Sequence, residues 1–463
     1  MGLALGIDFG TSGVRACALD ADGICQGEAA VPLPPLIEMV AGGPETRHPG
    51  MDGCGEQDPA LWWAALRELL TQLSAKVSLT RLRAIAIDGT SGTLVVCDES
   101  GRPLHPALMY NDARAIAEAA RIATIAPRES GAHGATSSLA KLLWLRARGM
   151  PETARALHQA EWIAGRLLGR FDQGDENNAL KLGYDVIARR WPDWLSALDV
   201  NASHLPRARE PGTPLGTVAP AVARTLGLSP DTLIVAGATD SIAATLASGA
   251  TRTGDAVTTL GTTIVLKVFS DHPVFAPEFG IYSHRLGEIW LAGGASNSGG
   301  AVLRQFFDDA ALADLSDRIV PERDSGLDYY PLPAPGERFP VADPTLAPRI
   351  SPRPADDARF LHGLLEGMAR IERDGYHRLA TLGAPWPTRV LTMGGGARNP
   401  AWSAIRARLL GMPVSARADA IPACGAARLA LRGMLSPKAR LHTEILPETN
   451  ADKAKPKGMT NTE

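Results

Sequence analysis

The stretch Leu3-Ala4-Leu5-Gly6-Ile7-Asp8-Phe9-Gly10-Thr11-Ser12-Gly13-Val14-Arg15-Ala16-Cys17-Ala18-Leu19-Asp20 decides how the rest of the chain is read. Two apolar runs, 3–7 and 14–19, flank Gly10-Thr11-Ser12-Gly13, the pattern of two strands joined by a tight turn. The first run ends in Asp8, which places a carboxylate at the mouth of the turn. Glycines let the backbone approach a ligand closely, while Thr11 and Ser12 add hydroxyl donors. Such a turn suits a phosphate, and an adjacent Asp suits the magnesium that accompanies it. Taken alone, the stretch reads equally well as an ordinary hairpin with an acidic end.

The pattern returns in the other half of the chain. Val257-Thr258-Thr259-Leu260-Gly261-Thr262-Thr263-Ile264-Val265-Leu266-Lys267 is again strand, turn, strand, which predicts a duplicated architecture with a nucleotide held between the halves. A third glycine-rich site follows the apolar run 390–393: Gly394-Gly395-Gly396-Ala397-Arg398-Asn399, with Pro400 opening a helix and Trp402 close by. Between these, the short apolar run 233–235 leads to Gly237-Ala238-Thr239-Asp240-Ser241 before a helix of small residues at 242–250. In isolation Asp240 reads as a helix N-cap.

Together these separated motifs resemble the FGGY family of carbohydrate kinases, over the span from Leu3 to about Leu435. The resemblance implies an α/β fold of two actin-like (ribonuclease H-like) ATPase domains with a catalytic cleft between them. It divides the chain into an N-terminal domain over 1–245, a C-terminal domain over 246–440 and a disordered tail over 441–463. It implies ATP and Mg²⁺ as cofactors and a small neutral sugar as acceptor. Gly10, Thr11, Ser12 and Gly13 with Gly261, Thr262 and Thr263 would bracket the triphosphate. Gly394, Gly395, Gly396, Asn399 and Trp402 would meet the adenosine. Asp240 would be the general base, Asp8 and Asp240 the metal-side carboxylates, and Asp8, Ser91, Asp112, Asp240 and Ser241 the sugar contacts.

In relatives, the segment equivalent to Asp88-Gly89-Thr90-Ser91-Gly92-Thr93 often reads Gly-Gln-Met-His-Gly. Here the Gln and His are replaced by small hydroxyl residues. That departure resembles the D-ribulose kinase branch of the family and argues against a standard bacterial xylulokinase. D-ribulose is the expected acceptor, with D-xylulose and other ketoses or polyols behind it. An actin-like switch ATPase without a sugar substrate is the reading from another class.

Composition sets the outer bounds. At 463 residues the chain exceeds one hydrophobic core, so two domains of roughly 200 residues are expected. A net charge of −3 gives no basic field for nucleic acid or an acidic membrane surface. No apolar stretch spans a bilayer and residues 1–30 do not read as a signal peptide, so a cytoplasmic monomer or homodimer is expected. Five scattered cysteines without a Cys-Xaa-Xaa-Cys pair argue against a disulfide framework and against a structural zinc site.

Coarse periodicity completes the reading. Asp58-Pro59 opens a helix with Leu61, Ala65, Leu69 and Leu73 as its buried stripe. Helices are expected over 137–148 and 154–168 and a small-residue loop over 293–300, while the family resemblance implies that 175–184 lines the sugar side of the cleft. The Pro- and Gly-rich stretch 31–55 reads as a surface excursion.

Overall fold

The computed structural model describes residues 2–34, 55–418 and 420–435. Most of the expected excursion at 31–55 and all of the expected tail at 441–463 lie outside the described residues.

The opening stretch forms β1 (Leu3–Phe9) and β2 (Gly13–Leu19), antiparallel with Phe9 opposite Val14, and β3 (Cys25–Pro32) extends the meander. The Asp58 side chain accepts from Ala60 N–H at 2.9 Å and so caps α1 (Pro59–Ser74). Next, β4 (Leu82–Gly89) lies parallel to β1 with Asp88 opposite Asp8. After α2 (Ser138–Arg146) and α3 (Gln159–Leu168), β5 (Pro214–Thr217) and β6 (Leu233–Thr239) close the sheet, and α4 (Asp240–Ala247) follows. The six strands run in the order β5-β6-β4-β1-β2-β3.

The second half repeats this plan. Its hairpin is β7 (Asp255–Leu260) and β8 (Ile264–Ser270), followed by β9 (His284–Leu286) and β10 (Ile289–Ser296). The long helix α5 (Asp357–Thr381) precedes β11 (Arg389–Met393), α6 (Pro400–Leu410), β12 (Val414–Ala416) and α7 (Pro422–Met434). Strand order is β9-β10-β8-β7-β11-β12, with β11 parallel to β7 as β4 is to β1.

Strand alternation explains how the lobes meet. Leu3, Leu5, Ile7 and Phe9 share a core with Leu66 and Leu69 of α1 and Trp162 and Ile163 of α3. Ala4, on the other face, packs with Ile242 and Leu246 of α4 and Ala426 and Leu429 of α7. That second core also takes Val257, Leu391 and Met393 from the C-terminal sheet, so α4 and α7 lie between the two sheets. Gly6 is required there: a Cβ would stand 1.9 Å from the Ala423 carbonyl oxygen and 2.1 Å from the Ala427 nitrogen. Asp8 has the same parity as Ala4 and Gly6, so it points to the side where the lobes face each other.

Two local expectations are corrected. Residues 155–158 are a strand paired antiparallel with 94–97, and the helix expected from 154 starts only at Gln159. Residues 293–296 continue β10 rather than forming a loop. The glycines there serve close packing: a Cβ on Gly293 would stand 2.4 Å from the Leu266 carbonyl oxygen, and one on Gly294 would stand 2.8 Å from the Phe339 ring.

Candidate active site

Three adjacent parallel strands, β6, β4 and β1, end on one edge of the N-terminal sheet. Each brings a carboxylate there. Asp8 is the penultimate residue of β1, Asp88 that of β4, and Asp240 follows β6 as the first residue of α4. The N-cap position is Thr239 rather than Asp240, and the Asp240 carboxylate accepts from Ser241 N–H at 2.7 Å. A crevice at strand carboxyl ends is where open α/β sheets hold ligands.

Electrostatics mark the cluster. Burial pushes Asp240 up to about 6; the Asp8 charge adds to the rise, while the N–H groups of Ser241 and Ser91 and the charge of Lys267 oppose it. Burial also raises Asp8, against the pull of Asp88 as hydrogen-bond partner and of Arg15, whose guanidinium stands 3.4 Å away. Asp88 is fully buried, and its carboxyl is held well above the usual range by burial and by the charges of Asp8 and Asp240. Neither Asp88 oxygen accepts a hydrogen bond among the described residues. Three carboxylates with so little compensation form a fitting place for a divalent cation, whose charge would relieve all three at once. Asp88 is absent from the sequence expectations, although the alternation that selects Asp8 selects it too.

Lys267 of β8 crosses from the C-terminal lobe, with Nζ 3.4 Å from Ser241 Oγ. Burial lowers its ammonium to about 8 against the opposing attraction of Asp240. Sequence reading passes it over because a lone Lys inside a strand carries no signal until the opposite lobe is in place.

Both glycine turns form as tight hairpin turns. Gly10 N–H donates to the Gly13 carbonyl at 3.1 Å, and Gly261 N–H to the Thr263 carbonyl at 3.1 Å. The second turn is pinned by the short helix Gly300–Leu303, where Gly300 and Ala301 N–H donate to the Gly261 and Thr262 carbonyls. Ser12 and Thr262 are exposed, and Thr11 and Thr263 partly so.

In the triple glycine each residue has a different reason. Gly394 has φ 81°, and its Cβ would stand 2.6 Å from the Leu260 carbonyl oxygen; Gly396 closes over Leu260 and the Trp402 ring. Gly395 alone faces open space. Asn399 caps α6, accepting from Trp402 N–H at 2.9 Å and donating to Ser316 Oγ at 2.8 Å. Trp402 is buried in the C-terminal core, which departs from the expected adenine contact: the cap turns its ring inward.

The turn at 90–93 is fixed from behind. Gln159 Oε1 accepts from Thr90 N–H at 3.1 Å, and buried Lys141 donates to the Gly92 and Met109 carbonyls. Ser138, His158 and Glu161 form a buried hydrogen-bonded chain (2.8 and 2.9 Å) that ties α2 to α3, the helices carrying Lys141 and Gln159. Ser91 is left partly accessible on the Asp240 side. Asp112 differs from the expectation of a sugar contact. It is fully buried, and its oxygens accept from Gly55 N–H and from Arg114, which also pairs with Glu56. Its acceptor sites are therefore filled by the chain itself. In the segment 175–184, buried Asn177 has both side-chain polar atoms without a partner among the described residues.

The fold and this cleft define the class, two actin-like α/β domains facing each other across a carboxylate-lined site. Residues 3–247 match the N-terminal domain, and 256–434 the C-terminal domain, of the FGGY family of carbohydrate kinases. The chain belongs to that family. It is 27% identical to the xylulose kinase of Escherichia coli over 96% of this chain and 92% of that one. It is 30% identical to the xylulose kinase of Streptomyces rubiginosus over 92% and 86%. Among solved structures, a xyloylose kinase from Brucella ovis superposes with a TM-score of 0.82 at 25% identity, covering 93% of this chain and 90% of that one. No helix among the described residues is long and apolar enough to cross a membrane.

Proposed function

We propose that this protein is an ATP-dependent kinase that phosphorylates the terminal hydroxyl of a ketopentose, with D-ribulose as its preferred acceptor. The observation that carries the reading is the convergence of Asp8, Asp88 and Asp240 at the ends of three adjacent strands, facing Lys267.

Phosphoryl transfer passes through a loose transition state, so the protein contributes mainly positioning and charge neutralisation. The turns at Gly10–Gly13 and Gly261–Thr263 offer backbone N–H groups and hydroxyls to the polyphosphate from opposite lobes. Gly395 leaves bare backbone for the adenosine. Asp240 accepts the proton of the attacking hydroxyl, and a carboxylate raised to about 6 is a stronger base than an ordinary one while staying ionised at neutral pH. Asp8 and Asp240 would hold Mg²⁺ with Asp88 behind them, and the cation supplies positive charge against the transferring phosphates. Domain closure over the cleft excludes water that would otherwise take the phosphoryl group. Domain boundaries near 245 and 440 follow from the same reading.

Ser91 and Ser241 provide small polar contacts, and Asn177 offers an unpartnered amide. The missing Gln and His in the 88–93 turn favour D-ribulose. The names of the most similar relatives favour D-xylulose as the second reading. Initial-rate kinetics with ATP and each pentulose separate them, and a larger kcat/KM for D-xylulose overturns the D-ribulose assignment. ATP turnover equally fast with and without sugar overturns the kinase reading in favour of a switch ATPase.

A further inference from the structure

The wide spacing of the cysteines argues against a structural metal site, and folding reverses that argument for three of them. Cys17 lies on β2, Cys25 opens β3, and Cys424 lies in the first turn of α7. The antiparallel register sets Glu28 of β3 opposite Cys17, so both side chains leave the same face of the sheet. Cys17 Sγ is 3.9 Å from Cys25 Sγ, while Glu28 Oε1 is 3.6 Å from Cys25 Sγ and 4.0 Å from Cys424 Sγ. Ligand atoms of Cys17, Glu28 and Cys424 all lie within 4.8 Å of one another.

These separations have a geometric meaning. With Zn–S near 2.3 Å and Zn–O near 2.1 Å, a tetrahedral site has S···S edges of about 3.8 Å and S···O edges of about 3.6 Å. The S···S edge of 3.9 Å and the S···O edges of 3.6 and 4.0 Å fall close to these values, with Cys25 joining the trio of Cys17, Glu28 and Cys424 through its contacts to Cys17 and Glu28. We propose that Cys17, Cys25, Glu28 and Cys424 form a site for a thiophilic divalent cation of the zinc class, which staples the last helix to the edge strands of the N-terminal sheet.

Soft thiolate ligands select such a cation over magnesium. Three thiolates and a carboxylate would leave excess negative charge around it, and Arg428, one turn further along α7, faces the Cys17 and Cys424 sulfurs to offset part of that charge. Cys25 and Glu28 are exposed, which gives the ion a path in from solvent, while Cys17 is buried and anchors the inner side. The staple would join α7, which lies between the lobes, to the strand that begins at the Gly13 turn. It is therefore placed to fix the interlobe helix against the root of the phosphate hairpin.

Cobalt titration of the reduced, chelator-stripped full-length protein tests this without reference to kinase activity. The expected result is one equivalent bound, with thiolate-to-cobalt charge transfer and the visible bands of tetrahedral Co²⁺, both lost when Zn²⁺ displaces it. Cys25→Ser changes an exposed side chain, so the fold should survive it; it and Cys424→Ser should each weaken binding by more than about 10-fold. Cys97→Ser, in the core of the N-terminal lobe, should leave affinity unchanged. Zn²⁺ should raise the Tm of the parent protein and not that of Cys25→Ser. Absence of a stoichiometric tetrahedral complex overturns the proposal. So do bands that persist in both serine variants, or a disulfide as the only product.

Discussion

The two lobes share a strand plan and differ in what they present to each other. In the N-terminal sheet the paired positions at the cleft edge are Asp8 and Asp88; in the C-terminal sheet the corresponding pair is Thr259 and Met393. The C-terminal lobe puts its charge inside instead. Glu372 of α5 binds Arg406 of α6 at 2.6 and 2.7 Å, and Thr258, Thr392 and Tyr376 complete the buried network. One copy of the scaffold thus satisfies its buried charge and offers neutral groups at these strand ends, with Lys267 the cation it extends toward Asp240. The other leaves carboxylates undercompensated where a cation and a reacting hydroxyl would meet them. Departures of this kind from polar satisfaction concentrate at functional sites.

The comparison breaks first, if it breaks, at Asp240. Asp240→Asn should lower kcat, measured at saturating Mg²⁺ and ATP, by about 10²–10⁴-fold, the range for losing a general base. In the parent, kcat/KM should rise with pH through about 6 as Asp240 loses its proton. Near-normal turnover in Asp240→Asn would move the base elsewhere. The corresponding test in the other lobe reads stability. Arg406→Met leaves Glu372 buried without its partner and should cost about 3–5 kcal/mol in denaturant unfolding. A loss under about 1 kcal/mol would mean that the C-terminal charge is not held as the comparison requires.

A finer test lies within the triple glycine. Gly394 combines φ 81° with an extended ψ of 179°, a region almost reserved for glycine, so Gly394→Ala should destabilise by about 1–3 kcal/mol or more. Gly395→Ala meets open space and should leave Tm nearly unchanged while raising KM for ATP several-fold. Equal Tm losses in both variants would remove the distinction between packing glycine and ligand-facing glycine.

Much of this was readable from residues alone, because strand alternation and glycine turns are local. Both hairpins, the Asp58 cap and the position of Asp240 at a strand-to-helix junction follow from neighbours in sequence. What escaped depends on partners far away. Residues 155–158 become a strand because 94–97 offers a free edge, and β10 runs on through Gly293 and Gly294 because Leu266 and Phe339 come close to it. Asp112 looks like a cleft acid until Arg114 and Gly55 are seen filling its oxygens. Trp402 looks like a base platform until its helix cap turns it inward. Lys267 and the cysteine cluster exist only as meetings between distant segments.

The smallest effect tests the electrostatic half of the comparison most directly. Asp88 has a carboxyl pKa raised in the folded state, so the folded protein holds its proton more tightly than the unfolded chain does. Its stabilising contribution is complete below the unfolded value of 3.8 and is lost as pH climbs through the folded value. Asp88→Asn removes that titration. The unfolding free energy of the variant minus that of the parent should therefore grow as pH is raised from about 4 toward neutrality, by about 1.4 kcal/mol for each pH unit climbed until the folded pKa is passed. The same scan on Thr259→Val should be flat, since the C-terminal cleft edge holds no titrating group at that position. Added Mg²⁺ should shrink the Asp88→Asn difference, because a bound cation compensates the carboxylates that the substitution relieves. A difference independent of both pH and Mg²⁺ would mean that the three acids do not share one field, and the contrast between the lobes would then reduce to packing.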